Sequence, residues 1–363
     1  MILPDFPWDS LAGAARRAGA HPGGVVDLSV GTPVDPVPDV LQEALRSASA
    51  QPGYPATHGT PELRAAAVAA LARRYGVTGV PAEAVLPTIG SKELVAWLPT
   101  LLGLGPGDVV ALPRMAYPTY EIGARLVGAT AVRLADDEPA VPGTRLRWLN
   151  SPSNPTGDVT PAGVLAGVVR QAREIGAVVA SDECYLALGW EVQPVSVLHP
   201  QVSGGDHRGL LAVHSLSKSS NLAGYRAGFV TGDPELVAAL LAVRKHAGMM
   251  VAWPVQQAMV AALSDDMHVA QQRDSYARRR KLLRPALDRA GLAVQGSQGG
   301  LFLWCTAGEP CWDTVDRLAE HGLIVAPGEF YGPAGACHVR VGLTATDERI
   351  AAAVERLGLL SQP

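Results

Sequence analysis

The sequence has no long uninterrupted hydrophobic run and little excess charge of either sign. Its most apolar window, residues 94–110, is broken by two prolines, three glycines and Asp108, and no charged leader followed by an apolar stretch opens the chain. We therefore expect neither a membrane span nor a signal peptide. The 30 basic and 34 acidic residues give a formal net charge of −4, and no basic run exceeds residues 278–281. This balance argues against nucleic acid or an anionic membrane as a partner.

Cysteine is scarce, and internal repeats and low-complexity segments are absent. The four cysteines show no C-x-x-C pair and no histidine partners at metal-ligand spacing: they are Cys184, Cys305, Cys311 and Cys337. We expect them to be free thiols of a reducing cytoplasm, with no metal site. No G-x-G-x-x-G follows an early strand, which disfavours a nicotinamide-dependent dehydrogenase.

What the sequence does contain is an ordinary globular composition, with 48% of its 363 residues apolar and 18% charged. A chain of this length holds two or three domain-sized cores. Short apolar runs alternate with amphipathic stretches, predicting strands at 85–89, 109–112, 146–149, 177–180, 210–213 and 228–231, and helices at 92–102, 120–127, 161–175 and 234–246. This alternation is typical of an α/β fold whose mostly parallel sheet has helices on both faces. Ligands of such sheets bind beyond the carboxyl ends of the strands.

The character of the sequence changes after Gly248. A long helical segment is predicted over residues 266–289, and Pro285 is expected to kink or end it. Short strands follow at 301–304 and 338–341, with helices between them. These features predict a smaller α+β domain after the large sheet.

The stretch from His214 to Gly228 carries the strongest chemical signal. Lys218 follows the apolar run 210–213, is flanked by serines, and is followed eight residues later by Arg226. An amine that can lose its proton, hydroxyl groups, a bidentate guanidinium and nearby backbone without side chains suit a covalently held, phosphorylated aldehyde. Pyridoxal 5'-phosphate is the obvious candidate. The alternative is a solvated loop lysine, which is the fate of most lysines.

Three other residues carry chemistry that suits the same ligand. Asp182 ends an apolar run, where its carboxylate can pair with a pyridine nitrogen, although it could instead cap a following helix. Ser91 precedes an amphipathic helix whose N-terminus favours a phosphate, and a serine there is also a common N-cap. Arg340 lies in a predicted strand, where it needs either a ligand carboxylate or an internal salt bridge.

Together these segments resemble the class I and II aminotransferases, which are fold-type I pyridoxal-phosphate enzymes. The resemblance covers nearly the whole chain, including residues 1–8, 27–33, 90–94, 214–228 and 338–341, and is greatest to the N-succinyldiaminopimelate aminotransferases of bacterial lysine synthesis. It implies an N-terminal arm and part of the small domain at residues 1–45, a large cofactor-binding domain at 46–250 and a small C-terminal domain at 251–363. The small domain is then discontinuous.

The resemblance also implies roles around the cofactor. Asp182 would keep the pyridine nitrogen protonated, Tyr185 and Asn154 would hydrogen-bond the phenolic oxygen, and Tyr117 would stack on the ring unless it is a core tyrosine. Tyr54 would reach across a dimer interface to the neighbour's phosphate. The phosphate would otherwise be held by Ser91, Lys92, Ser215, Ser217 and Arg226.

The substrate's carboxylate would meet Arg340, Asn154 and the backbone of Gly31. No spacing chooses a residue for a distal carboxylate among Arg16, Arg17, Arg114 and Tyr331.

The activity that the resemblance implies is ping-pong transamination by a cytoplasmic homodimer, with Lys218 moving the substrate's α-proton. Glutamate and 2-oxoglutarate are the expected pair on one side, and N-succinyl-diaminopimelate and N-succinyl-2-amino-6-oxopimelate on the other. One rival is another pyridoxal-phosphate reaction, either a lyase or a transaminase for other amino acids. A regulatory sensor with this fold is a further rival, but about thirty residues before Gly31 leave little room for a DNA-binding helix-turn-helix.

Overall fold

The computed structural model describes residues 3–360. Met1 and Ile2, which belong to the first stretch of resemblance, and residues 361–363 lie outside the described residues. The strands are β1 Val26–Asp27, β2 Val85–Ile89, β3 Val109–Pro113, β4 Thr130–Leu134, β5 Thr144–Asn150, β6 Val178–Asp182, β7 Leu210–Ser215, β8 Ala227–Gly232, β9 Ala293–Gln295, β10 Phe302–Thr306, β11 Leu323–Ile324, β12 Ala326–Pro327 and β13 Val339–Gly342. The α-helices are α1 Ala12–Gly19, α2 Asp39–Ser47, α3 Pro61–Tyr75, α4 Ser91–Leu101, α5 Pro118–Leu126, α6 Ala162–Glu174, α7 Pro200–Ser203, α8 Pro234–Ala247, α9 Trp253–Ser264, α10 Met267–Arg289, α11 Cys311–Glu320 and α12 Asp347–Leu360.

Seven strands form the central sheet in the order β2-β8-β7-β6-β5-β3-β4. Strand β8 runs antiparallel to both of its neighbours, and the remaining pairs are parallel. Apolar side chains on one face pack with α3, α6 and α9, and those on the other pack with α4, α5 and α8. Because both faces are covered, every residue of β7 and β8 is buried. The predicted α/β fold with a mostly parallel sheet is confirmed.

Helix α8 shows how local sequence fixes these elements. The carboxylate of Asp233 accepts a hydrogen bond from the backbone N–H of Glu235 at 2.9 Å, which caps the helix start, and a proline follows at the first helical position. Gly248 ends the helix with a φ of 70°, a left-handed conformation that favours glycine. The predicted and observed helices therefore agree to within one residue.

Several observed elements have no counterpart in the sequence expectations, including α1, α2 and α3. Edge strand β4 was not predicted, because its half-exposed residues form no continuous apolar run. Helix α9 was not predicted either. Helix α10 agrees with the predicted span 266–289 to within one residue. It continues past Pro285, so the proline does not end it, and buried Leu283 and Ala286 hold the helix against the core on either side.

A second, antiparallel sheet has the order β12-β13-β10-β9, and β1 pairs in parallel with β11. Val26 of β1 lies opposite Leu323, and one apolar cluster joins Leu11 with Val341. N-terminal residues thus pack into the C-terminal part of the chain, in keeping with a discontinuous small domain; the domain boundaries themselves stay a prediction. Within residues 3–360 no helix combines the length and the apolar character needed to cross a bilayer.

Candidate active site

One cavity of about 860 Å³ opens at the carboxyl end of the central sheet. It collects every predicted site residue except Tyr54: Gly31, Ser91, Lys92, Tyr117, Asn154, Asp182, Tyr185, Ser215, Ser217, Lys218, Arg226 and Arg340. Tyr54 is 90% exposed and does not line the cavity of its own chain. The cavity also receives the N-terminal segment from Leu3 to Trp8 as one of its walls.

Lys218 lies in the lysine loop, residues 216–226, which joins β7 to β8. Its Nζ donates a hydrogen bond to the carbonyl oxygen of Gly31, and its own carbonyl oxygen accepts one from the hydroxyl of Tyr276 at 3.1 Å. Burial lowers the pKa of Lys218 to about 8. The side chain is therefore not a solvated loop lysine, and about a tenth of it is an unprotonated amine at pH 7.

Asp182, the last residue of β6, is 5% exposed and points its carboxylate into the cavity. Its Oδ2 accepts a hydrogen bond from the hydroxyl of Tyr120 at 2.9 Å, and its Oδ1 accepts one from the N–H of Cys184 at 3.3 Å. No helix begins after β6 at this point, so the N-cap alternative is wrong. Burial raises the pKa of Asp182, although these hydrogen bonds oppose the shift.

Arg340 is 3% exposed and has no carboxylate partner among residues 3–360, so the internal salt bridge is not observed. Its Nη1 donates to Oδ1 of Asn154 at 2.8 Å and its Nη2 to the carbonyl oxygen of Ser29 at 2.6 Å. The guanidinium carbon lies 3.7 Å from the ring centre of Phe302. A buried cation held by neutral groups favours an anionic ligand.

Two neighbours of Arg340 complete this end of the cavity. Gly31 lies so close to Phe302 that a Cβ added to it would come within 2.6 Å of the ring, which explains why a glycine is needed there. Tyr185 is 5% exposed and meets the same ring edge-on, with 5.8 Å between ring centres. The Arg340 guanidinium and the Tyr185 phenol therefore both pack against the Phe302 ring and both line the cavity.

The opposite end of the cavity is built for an anion. Helix α4 begins at Ser91, and Gly90 is its N-cap residue, so Ser91 is not itself the cap. The guanidinium of Arg226 packs against Gly90, where any added Cβ would collide with it. Ser215 and Ser217 follow from the end of β7, and the Oγ of Ser215 accepts a hydrogen bond from the N–H of Ser217 at 3.2 Å. Free N–H groups, hydroxyls and a guanidinium converge on one place.

Lys92 and Tyr117 line the cavity from the starts of two helices. The Lys92 ammonium lies 5.2 Å from the ring centre of Phe6, and burial, together with nearby Arg226, lowers its pKa. Tyr117 precedes α5 and meets Tyr120 edge-on with 5.9 Å between ring centres. Tyr117 thus presents its ring to the cavity and is not simply a core residue.

A further charged group on the cavity wall was not predicted. Glu121 binds Arg125 at 2.6 Å and Arg133 at 2.9 Å, so one carboxylate serves two guanidinium groups. In contrast, none of the four residues suggested for a distal carboxylate lines the cavity. Arg17 pairs with Asp316, for example, and Arg114 pairs with Glu138 on the surface.

Sequence reasoning also missed Tyr120 and Asn150. The stacked rings of Tyr120 and Trp148 lie 4.8 Å apart, which orients the hydroxyl toward Asp182. Asn150 ends β5, donates to the carbonyl oxygen of Asp182 at 2.9 Å and accepts from the N–H of Asn154 at 2.7 Å. The sequence signal for Asn150 was a polar residue at the end of a predicted strand. Tyr120 had no sequence signal, because its contact with Asp182 depends on the tertiary fold.

The donor set fits pyridoxal phosphate. One cavity is lined by a buried carboxylate, a lysine with a lowered pKa, a phenol and a group of anion-binding residues. Among residues 3–360, Arg226 of that group forms no ion pair. Cavities of several hundred Å³ hold cofactor-sized ligands, so the volume also suffices.

Comparison with known proteins agrees with this geometry. The family described as aminotransferase class I and II matches residues 23–357. A probable aminotransferase of Mycobacterium tuberculosis is 65% identical over 361 residues, covering 98% of this chain and 85% of that protein. The 4-dedimethylamino-4-oxo-anhydrotetracycline transaminase of Streptomyces rimosus is 58% identical and covers 98% of this chain and 99% of its own. The structure of a probable N-succinyldiaminopimelate aminotransferase from Thermus thermophilus superimposes with a TM-score of 0.87 at 30% identity, covering 98% of this chain and all of that one.

Proposed function

Because the chain belongs to the class I and II aminotransferases, which depend on pyridoxal phosphate, we propose that it transfers the amino group of N-succinyl-LL-2,6-diaminopimelate to 2-oxoglutarate. The observation that carries the proposal is that one cavity holds two cationic places. Arg340 has no carboxylate partner among residues 3–360. On the wall, Arg125 and Arg133 share the single carboxylate of Glu121, which leaves a net positive charge. A donor with one carboxylate at its reacting carbon and another at its succinyl end suits two such groups. Likeness to the Thermus thermophilus protein supports the same substrate.

The bound cofactor supplies an electron-withdrawing ring that stabilises negative charge at the substrate's α-carbon. Lys218 would hold the cofactor through its Nζ, and the same amine would move the substrate's α-proton. A pKa of about 8 leaves enough of the unprotonated amine for that task. Asp182, whose carboxylate accepts a hydrogen bond from Tyr120, would keep the ring nitrogen protonated.

The remaining residues hold and orient the reactants. Ser91, Lys92, Ser215, Ser217 and Arg226, which all line the cavity, would hold the phosphate, and Tyr117 would pack on the ring. Tyr185 and Asn154 would donate to the phenolic oxygen. Because Oδ1 of Asn154 accepts from Arg340, its Nδ2 is the atom left to donate. Arg340, Asn154 and Gly31 bind the α-carboxylate.

A panel of amino donors with 2-oxoglutarate, read by glutamate formation, tests the substrate. We expect kcat/KM to be highest for N-succinyl-diaminopimelate and lower for free diaminopimelate, aspartate and aromatic amino acids, since a site built for a distal carboxylate leaves polar groups unpaired without it. If an ordinary amino acid is the better donor, the substrate assignment is wrong and the aminotransferase family membership still stands.

A second candidate substrate follows from the aromatic side of the cavity. Phe6, Trp8 and Phe330 line it, and the Streptomyces rimosus relative acts on an oxo-anhydrotetracycline. Aromatic walls favour a ring-containing acceptor. Adding 4-dedimethylamino-4-oxo-anhydrotetracycline as an acceptor, with glutamate as donor, separates the two candidates.

The exposed position of Tyr54 supports a homodimer with shared sites, in which Tyr54 reaches the partner's phosphate. Mixed dimers of Tyr54→Phe and Lys218→Ala subunits then contain one site with both defects and one with neither. Activity from the mixed species that matches an intact site supports sharing. Activity equal to that of a Tyr54→Phe site means that each chain uses its own tyrosine.

Borohydride reduction followed by peptide mass mapping tests the attachment site. We expect a pyridoxyl adduct on Lys218, and an adduct on any other lysine contradicts the assignment.

A further inference from the structure

One face of α10 carries a row of buried polar side chains. They are spaced three or four positions apart, which places them on one side of the helix, and none is more than 7% exposed: His268, Gln272, Tyr276 and Arg279. Buried polar groups are costly unless they are hydrogen-bonded, so the row must have partners on the elements that pack against it.

The buried polar side chains of α10 form hydrogen bonds to the lysine loop. Tyr276 donates its hydroxyl to the carbonyl oxygen of Lys218 at 3.1 Å. Oε1 of Gln272 accepts a hydrogen bond from Nδ2 of Asn221 at 2.8 Å. The Lys218 main chain and the residue three positions on are thus both fixed to the same helix.

The same row holds the Gly31 loop, residues 29–36. Nε2 of Gln272 donates to Oδ2 of Asp35 at 2.7 Å, and Arg279 binds both oxygens of Asp35 at 2.8 and 2.5 Å. The two loops also meet directly, since Nδ2 of Asn221 donates to the carbonyl oxygen of Pro36 at 3.0 Å. Gln272 therefore binds one loop with its oxygen and the other with its nitrogen.

We propose that Gln272 and Asn221 are positioning residues that hold the Gly31 loop at a fixed distance from Lys218, so that binding of a substrate carboxylate at the loop also sets the position of the lysine. The inference rests on the proposed function, in which Gly31 approaches the carboxylate and Lys218 carries the cofactor. Both ends of the Lys218 residue belong to this arrangement, because its Nζ contacts the Gly31 carbonyl and its own carbonyl contacts α10.

Gln272 is the best residue to change, because it is uncharged. Although burial alone would raise it, hydrogen bonds from Arg279 and Gln272 lower the pKa of Asp35, which therefore forms an ion pair with Arg279. Removing Arg279 would leave that buried carboxylate unpaired and endanger the fold. Gln272→Met keeps the length of the side chain and removes both bridging hydrogen bonds.

The experiment compares Gln272→Met with Gln271→Met in the cofactor-loaded enzyme. Gln271 is the adjacent residue on the same helix, but it is exposed. The probe is glutarate, an unreactive dicarboxylate with the chain length of 2-oxoglutarate, and its Kd is read from the absorbance change of the bound cofactor. We expect Gln272→Met to raise that Kd roughly ten-fold, in line with the loss of a hydrogen bond to a charged group, and Gln271→Met to leave it within about two-fold.

A double-mutant cycle that combines Gln272→Met with Asn221→Gly tests the hydrogen bond between these two side chains. Asn221 has a φ of 53°, and glycine takes this conformation without strain, so the change removes the side chain alone. Asn221→Gly removes both the hydrogen bond to Gln272 and the direct one to Pro36, so the double variant should bind glutarate about as weakly as Asn221→Gly alone. Fully additive effects on Kd would overturn the proposal.

A second outcome would also contradict the proposal that Gln272 and Asn221 are positioning residues. If Gln272→Met lowers the melting temperature while its glutarate Kd and the pH midpoint of its cofactor absorbance equal those of Gln271→Met, the row is only structural. A wild-type adduct on a lysine other than Lys218, or no response of wild-type absorbance to glutarate, would instead show that the proposed function fails.

Discussion

Removing the Tyr120 hydroxyl should disable the carboxylate that supports catalysis without disturbing the fold. Tyr120 is 1% exposed, and its ring stacks on Trp148 at 4.8 Å, so Tyr120→Phe keeps the packing and deletes one atom. That atom donates to Oδ2 of Asp182 at 2.9 Å. Cys184 also supports this carboxylate, with its thiol and with its N–H, which lies 3.3 Å from the other oxygen.

The size of the effect follows from the charge on Asp182. A hydrogen bond to a charged group contributes about 1.5–3 kcal/mol, and one pKa unit corresponds to about 1.4 kcal/mol. The pKa of Asp182, which burial already raises, should therefore rise further in Tyr120→Phe. A weaker hold on the ring nitrogen should slow α-proton transfer by about ten- to a hundred-fold.

Single-turnover reaction with glutamate, followed by absorbance of the bound cofactor across pH, measures both effects. A carboxyl group with a higher pKa stays protonated to higher pH, so the acid limb of the rate profile should move to higher pH in Tyr120→Phe. Tyr75→Phe, at a tyrosine outside the cavity, is the control. If Tyr120→Phe keeps the wild-type acid limb and reacts within two-fold of wild type, Tyr120 does not support Asp182.

Three other predictions concern separate parts of the cavity. Gly90→Ala should lower cofactor retention on dialysis, because the added Cβ collides with Arg226 at a φ of 74°; unchanged retention would place the phosphate elsewhere. Cofactor capture by the apoenzyme should accelerate as pH rises through about 8 and then level off, because burial lowers the pKa of Lys218 to about 8 and only the free amine reacts; a rate still climbing at pH near 10 would contradict this. Arg340→Lys should raise KM for glutamate and N-succinyl-diaminopimelate alike, since an ammonium cannot make two parallel hydrogen bonds. A loss confined to one substrate would mean that they use different carboxylate sites.

The central fold could be predicted because its strands are buried on both faces. Continuous apolar runs such as 85–89 and 210–213 read as strands, and the structure places strands there. Strand β4 gave no such signal, since only its last residue is fully buried. Pro285 does not end α10, because the burial of neighbouring side chains along this long helix offsets the backbone hydrogen bond that the proline removes.

The candidate site divides in the same way. Asp182 and Lys218 stand directly after apolar runs, so strand-end reasoning located them. The bond from Tyr120 to Asp182 spans 62 positions and depends on how α5 packs against the sheet. The sharing of Glu121 between Arg125 and Arg133 likewise needs an edge strand beside a helix. Such contacts between distant segments have no local sequence signature.

The pairing of β1 with β11 has a consequence for the order in which the protein is made. Val26 emerges from the ribosome 297 positions before its partner Leu323, so the N-terminal segment waits, without its strand partner, until nearly all of the chain has been synthesised. Contacts at such sequence separation form late, because a very long loop must close first. The segment that leads into Gly31 is therefore among the last to settle. The half of the cavity around Lys218 and Arg226 can assemble earlier, and a newly made chain should become able to retain its cofactor before it becomes able to recognise a substrate.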